Sequence, residues 1–434
     1  MVFADLMTGK SLDQPMYYRV TANRQVKTSA ISLLPEKVDV CVVGAGFTGL
    51  SAALELATQG RKVAVFDSGP IGWGATGRNG GQVCTGYSAG MEAFEKQLGI
   101  QDARICFDVA EQGKRQIEAR IQKHDIECDL TWGFLHAAAR PSHMAGLTQH
   151  MEELEQYGVQ GCTILSRDEL SEKLESKTYH GALRERDSGH IHTLNYALGL
   201  ADAVLGQGGL IFENTTVESV EGGNSPALKL DSGRTVACNQ IIIACNAYLD
   251  SLVPGLDHRV MPVASYVVAT ESLGEKRARS LIRDNEAVCD SNYVVDYFRM
   301  TADHRLLFGG RCSYSGIHPR DLGSSMRPRV LRIFPQLSDV KMEFAWGGHI
   351  GITHNRLPNM GRSDGSIYYV HGFSGQGVVL AGMLGKVLAD AIVGDTERFD
   401  VFARIRHLPF PGGFLRRPGL TLGMLYYRIR DLLS

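Results

Sequence analysis

The stretch EKVDVCVVGAGFTGLSAALELATQGRKVAVFDSGPIGWGATGRNGGQ, residues 36–82, leaves few folds open to the chain that carries it. Val38-Asp-Val-Cys-Val-Val43 has the apolar, β-branched character of a strand buried on both faces. It breaks into Gly44-Ala-Gly46-Phe47-Thr48-Gly49, where Gly44 permits a tight turn, Gly46 lets backbone approach a pyrophosphate and Gly49 lets a helix lie close on a sheet. Leu50, Ala53, Leu54 and Ala57 keep a helical apolar period until Gly60, and Lys62-Val-Ala-Val-Phe66 reads as a second strand. The helix opening at Phe47 and Thr48 would turn free N–H groups and a favourable dipole towards phosphates. Asp67, followed by Ser68, stands eighteen residues past Gly49, placed to accept hydrogen bonds from both hydroxyls of an adenosine ribose. A carboxylate there repels a 2′-phosphate, so the pattern predicts FAD or NAD and excludes NADP.

The continuation favours FAD. Ile71–Gln82 is too rich in glycine to bury a core, and it offers Thr76, Gly77, Arg78, Asn79, Gly80, Gly81 and Gln82 as a loop to lie against a flavin and its phosphates. A second strand, glycine loop and helix occur near the end. Ser366–Val370 is followed by His371-Gly-Phe373-Ser-Gly375-Gln376-Gly377 and a helix from Val378 to about 392, again directing N–H groups at a ligand. In such an architecture Val217 would offer its backbone to adenine, and Asn246, at the end of the buried strand Asn239–Cys245, would return to the nucleotide.

At 434 residues, with 44% apolar residues, the chain can bury sizeable cores in two or three domains, and a net charge of −2 excludes nucleic acid as a natural partner. The N-terminus lacks a signal-peptide core, no window suits a membrane span, and nine cysteines without a C-x-x-C pair predict reduced thiols of a cytoplasmic protein and no metal. The predicted division is an arm at 1–35, a nucleotide domain in three pieces (36–124, 191–254 and 346–434) and a second domain in two (125–190 and 255–345). Ser166–Lys177 is predicted as a helix, Arg186–Asn195 as turn residues leading into a helix at about 194–207, and Tyr293–Met300 as a strand. Apolar residues between Gly419 and Leu433 suggest a C-terminal helix resting on its own domain or touching a membrane surface peripherally.

With Gly44–Gly49, Asp67, Thr76–Gln82, Asn246 and Phe373–Gly377 in hand, the chain resembles the D-amino-acid-oxidase/glycine-oxidase superfamily of flavoproteins. The resemblance runs from about residue 38 to the C-terminus, most specifically at IGWGATGRNGGQ (71–82), SGHIHTLN (188–195) and SNYVVDYFRMTADHRLLFGG (291–310). It implies an α/β (α+β) fold with a Rossmann-like FAD-binding domain and a substrate domain on a mostly antiparallel mixed sheet. It also implies an oxidase acting on a small-molecule amine such as γ-glutamylputrescine or a related polyamine, with O2 or a quinone as electron acceptor. Where relatives tether flavin to a cysteine after a Trp-Gly pair, this chain has Trp346-Gly-Gly-His-Ile350. Where they anchor a carboxylate by lysine or arginine, it has Val379 and Gly351-Ile-Thr. These departures imply non-covalent FAD and an unwelcome carboxylate beside the reacting carbon.

Hydride leaves only an amine with a free lone pair, which an aromatic, apolar pocket would promote by penalising the charged form. Candidate pocket walls are Tyr87, Tyr266, Tyr293, Tyr297, Trp346 and Phe373. Along Tyr293–Arg299, strand alternation puts Tyr293, Val295, Tyr297 and Arg299 on one face and Asp296 with Phe298 on the other; Asp296 is carried as a substrate candidate. His192 is a candidate proton acceptor or substrate orienter. Two other readings stay open: an oxidase or dehydrogenase of an imino acid such as L-pipecolate, with Arg299 or Arg356 as its anchor, and a non-catalytic FAD-binding subunit.

Overall fold

The structure is a computed structural model that describes residues 16–292, 294–313, 319 and 321–410. Tyr293 and the apolar segment Gly419–Leu433 lie outside the described residues.

The first sheet grows from the glycine stretch. Its six strands run in the spatial order Asn359–Ser363, Ile367–His371, Gln240–Ile243, Val40–Val43, Val63–Phe66 and Leu210–Phe212, all parallel except the Asn359–Ser363 edge. Each residue of Val40–Val43 and Val63–Phe66 is buried, as a parallel sheet covered on both faces requires. The helices Phe47–Thr58, Thr193–Gly206 and Gly377–Val393 share the apolar cluster on one face, and the hairpin strands Ala227–Leu230 and Thr235–Ala237 contribute to the cluster on the other. Gly44 has φ +112°, and a Cβ there would stand 2.8 Å from the Ala244 carbonyl oxygen; one at Gly49 would stand 1.8 Å from the Gly44 oxygen. The tight turn and the close helix are thus both enforced by glycine.

The second sheet has nine strands and is mostly antiparallel. Its path is Met342–Ile352, Met261–Thr270, Leu306–Ser313, Tyr297–Met300, Ala287–Asp290, Thr131–Ala137, Ala182–His190 and Gln82–Val83, with Thr163–Leu165 paired to Ala182–His190. One parallel pairing, Ala287–Asp290 beside Thr131–Ala137, makes it mixed. Gln82–Val83 opens this sheet directly after the first glycine loop, so the loop bridges both sheets.

Three local expectations are corrected. Arg186–His190 is the second half of the strand Ala182–His190 and not a turn, because two neighbouring strands, Gln82–Val83 and Thr131–Ala137, pair with it and Gly189 lies against Thr131 where a Cβ would be 2.1 Å from the carbonyl oxygen. The helix expected over Ser166–Lys177 is only Arg167–Ser171, closed by a capping box between Ser166 and Glu169. Of the strand expected over Tyr293–Met300, Tyr297–Met300 is present and the described residues 294–296 are not in a strand. The helix predicted at about 194–207 is present as Thr193–Gly206.

Helix Gly377–Val393 lies on helix Phe47–Thr58 at backbone contact. A Cβ on Gly385 would approach the Thr48 carbonyl oxygen to 2.3 Å, and Ser51 Oγ donates to the Gly382 carbonyl. Gly385→Val should therefore push the two helices apart. We expect a loss of about 1–3 kcal/mol in urea unfolding, read from the midpoint at unchanged slope; a wild-type midpoint would contradict this packing.

Candidate functional site

Neither N-cap residue, Gly46 or Gln376, caps its helix with a side chain, so apart from the Phe47 N–H, which Thr76 takes, the first N–H groups are left for another acceptor. The two N-termini open onto one cavity of about 380 Å³. Its wall includes Gly44, Gly46, Phe47, Thr48, Asp67, Ser68, Thr76, Asn79, Val217, Asn246, Phe373, Gly375, Gly377 and Val378, all singled out in the sequence. Trp73, Thr215, Tyr248 and Ile350 line it too and were not singled out; Trp73 falls inside the glycine-rich loop and Tyr248 two residues past Asn246, the only local signals for either.

Asp67 ends its strand with the carboxylate held from two sides: the Ala45 N–H donates to Oδ2 at 2.7 Å and the Gly69 N–H to Oδ1 at 2.9 Å. Burial raises its pKa, and these two donors work in the opposite direction. Thr76 Oγ1 accepts from the Phe47 N–H at 3.1 Å, tying the glycine-rich loop to the first helix turn. Asn246, at φ +46°, accepts through Oδ1 from the Gly372 N–H at 2.9 Å and so holds the second glycine loop at the end of its neighbouring strand. Gln376 Oε1 is buried with no partner among the described residues. Two helix N-termini and a carboxylate at a strand end around one cavity fit the phosphates and sugars of FAD.

The remaining loop residues do not line the cavity; they hold its wall. Gly77 closes a turn by donating to the Gly72 carbonyl at 2.8 Å. Arg78 is spread over the Trp73 ring at 5.3 Å and donates to the Trp73 and Gly347 carbonyls at 2.7 and 3.0 Å. Burial lowers the pKa of its guanidinium. Gly81 donates to Asn79 Oδ1 at 2.7 Å, and Gln82 reaches the Val288 carbonyl at 3.0 Å.

Several catalytic and substrate candidates lie elsewhere. Tyr297 is wedged so tightly that a Cβ on Gly80 or Gly309 would fall 2.4 or 2.0 Å from its ring. It faces the glycine loop together with Arg299, while Phe298 stacks on Phe308 on the far side. Asp296 is fully buried on that far side, paired with Arg329 at 2.7 Å and Arg332 at 2.5 Å, which removes it from the cavity. Tyr87 is packed against Phe94 and Phe402 with its hydroxyl donating to the Cys106 carbonyl at 2.6 Å. Trp346 is 2% exposed and donates through Nε1 to the Arg78 carbonyl at 2.9 Å.

His192 is a helix cap. Its Nδ1 accepts from the Asn195 N–H at 3.1 Å and its Nε2 meets Thr21 Oγ1 at 3.0 Å, between the rings of Tyr17 and Tyr18. Burial, and next the charge of Arg299, push its pKa down to about 3, as they do for His190. A ring so weakly basic is a poor acceptor for an amine proton.

Outside the cavity, His136, His150 and Glu185 bring one donor atom each within 4.8 Å of one another. His136 Nε2 and Glu185 Oε1 are 2.7 Å apart, closer than the roughly 3.3 Å between two ligands of a tetrahedral zinc ion with bonds of about 2.0–2.1 Å. Ser188 Oγ donates to Glu185 at 2.6 Å, so His136, Glu185 and Ser188 form a hydrogen-bonded cluster, while His150 pairs with Glu153 at 3.3 Å.

Residues 39–391 match the family described as FAD dependent oxidoreductase, and the chain belongs to that family. It is 41% identical over 422 residues to the gamma-glutamylputrescine oxidoreductase of Escherichia coli (strain K12), covering 96% of this chain and 98% of that one. It is 37% identical to a probable oxidoreductase, OrdL, of Haemophilus influenzae, covering 96% of each. Among solved structures, glycine oxidase from Geobacillus kaustophilus shares the fold with a TM-score of 0.71 at 22% identity, covering 86% of this chain and all of that one.

The depressed histidines make a pH prediction. His190, His192 and His371 are each held at about 3, for His371 by burial and then by the charges of His407 and Arg259. In the unfolded chain they titrate near 6.5. Folded pKa values lie below unfolded ones, so this stability is complete above about pH 6.5 and falls as the pH drops towards 3, because only the unfolded chain takes up the protons. Three groups together give a slope of roughly 4 kcal/mol per pH unit once the pH is well below 6.5. Urea midpoints should fall steeply between pH 6.5 and 5; a flat profile would contradict these burials.

Proposed function

We propose that this FAD-dependent oxidoreductase is an amine oxidase of γ-glutamylputrescine or a related polyamine. The CH–NH2 carbon is oxidised to an imine, water converts the imine to an aldehyde and ammonia, and dioxygen is reduced to hydrogen peroxide. The observation that carries this reading is the end-to-end likeness to the E. coli enzyme, at 41% identity. FAD, when bound, supplies the two-electron acceptor for the hydride of the amine carbon.

The chain's own residues supply the setting. Gly44, Gly46, Asp67, Ser68 and the two helix N-termini would hold the adenosine and phosphates. An alkylammonium with a pKa near 10 must lose a proton before its carbon gives up hydride, at a cost of about 4 kcal/mol at pH 7. Phe373, Ile350 and Val378 make part of the cavity wall apolar, which disfavours the charged amine.

Among the described residues lining the cavity none is lysine or arginine. Arg299, the anchor considered for an imino acid, already donates to the Gly80, Met300 and Ile191 carbonyls and the Tyr18 hydroxyl. Both facts favour a substrate without a carboxylate on the reacting carbon. The cofactor is read as non-covalent. Cys245, the cysteine among the described lining residues, is pushed up to about 12 by burial and then by Asp67, so at neutral pH it is an unreactive thiol. No single described helix is long and apolar enough to cross a membrane, and cytoplasmic residence is part of the same reading.

Anaerobic mixing of the purified flavoprotein with γ-glutamylputrescine, putrescine or L-pipecolate in separate cuvettes tests this. We expect γ-glutamylputrescine to bleach the flavin fastest and air to restore it. Bleaching by L-pipecolate alone would overturn the substrate class, and bleaching that air does not reverse would point to a quinone acceptor.

A further inference from the structure

Three consecutive carbonyls of the glycine-rich loop are each held by a different part of the chain. Trp346 Nε1, from strand Met342–Ile352, donates to the Arg78 oxygen at 2.9 Å. The Tyr18 hydroxyl, from the N-terminal arm, donates to the Asn79 oxygen at 3.0 Å. Arg299 Nε, from strand Tyr297–Met300, donates to the Gly80 oxygen at 2.8 Å. The same arm fixes the start of this loop, where Arg19 donates to the Ile71 carbonyl at 3.0 Å.

Arg299 is the costly member. It is 2% exposed, and its hydrogen bonds go to carbonyls and the Tyr18 hydroxyl at 2.8–3.1 Å, with His190 Nδ1 at 3.5 Å and no carboxylate among the described residues. A buried cation without an ion-pair partner is expensive unless neutral dipoles are fixed around it, so it holds those dipoles rigidly in return. Because a trans peptide is planar, a carbonyl turned outward turns the next residue's N–H the opposite way. The N–H groups of Asn79 and Gly80 are therefore turned away from the clamp. Neither has a partner among the described residues, and Asn79 lines the cavity.

We propose that Tyr18, Arg299 and Trp346 are positioning residues that fix this loop with the Asn79 N–H turned towards the FAD cavity, and that docking of the N-terminal arm and binding of FAD are therefore coupled. The proposal rests on the FAD site. Whatever the arm contributes to flavin affinity, flavin contributes equally to arm docking, since linkage is reciprocal. The arm has its own anchors for this: Tyr17 to Asp303 at 2.8 Å, the Asn23 N–H to Asn195 Oδ1 at 3.1 Å and Arg24 to Asp202 at 3.0 Å.

Peptide-resolved hydrogen exchange on the full chain, with and without FAD, reads the coupling at two places. FAD should slow exchange in residues 16–24 as well as at the glycine turn 44–49. In Tyr18→Phe, which keeps the ring packed on Trp346, the protection at 44–49 should persist while that at 16–24 weakens, and FAD affinity should fall about tenfold, the scale of one lost hydrogen bond. Protection at 44–49 without any at 16–24, or wild-type FAD affinity in Tyr18→Phe, would overturn the coupling while leaving the FAD site standing. Protection at neither stretch would sink the FAD site and this proposal together.

Discussion

Thr48 and Gly385 meet at backbone distance, and that contact fixes where the two uncapped helices end. A larger side chain at position 385 would push the two helices apart and with them Gly46 and Gly377, which line one cavity. Each bare N-terminus concentrates unpaired donors and positive potential, and bringing two together is unfavourable until an anion lies between them. The arrangement is stable as a binding site, which is the physical reason the first sheet, its glycine turns and Asp67 make sense together.

The second sheet is attached to that site through its loop. Residues 71–81 lie against the cavity's wall and Gln82–Val83 is already a strand of the other sheet, so a shift in one body is carried into the other over a few residues. Trp346 and Arg299 belong to the second sheet and hold loop carbonyls, while Asn246 holds the second glycine loop. The aromatic residues expected to face substrate are in large part the means of this attachment. Tyr297 is wedged between Gly80 and Gly309, and Trp346 hydrogen-bonds the loop from behind.

The glycine turn and strand end at the cavity were legible because their determinants are local. Gly44, Gly46, Gly49 and Asp67 lie within twenty-four residues, and each acts through its own backbone freedom or its place at a strand end. The roles of His192, Asp296 and Tyr87 were not legible, because each is set by a partner far off in sequence. His192 answers to Thr21, Asp296 to Arg329 and Arg332, and Tyr87 to Phe402. The strand through Arg186–His190 was hidden for a related reason: its residue types favour turns, and only pairing with two other strands makes them extended. The arm was the least readable part, since Tyr17 and Tyr18 signal burial but nothing nearby says against what.

The affinity of the flavin-free protein for FAD, compared with riboflavin, tests the paired helix ends most directly. If the phosphates and the ribose are what these residues recognise, FAD should bind at least about a thousandfold tighter, a difference of roughly 4 kcal/mol spread over several charge-assisted contacts. Equal affinity for the two would mean that the flavin ring alone is recognised, and that the two helix N-termini and Asp67 serve some other end.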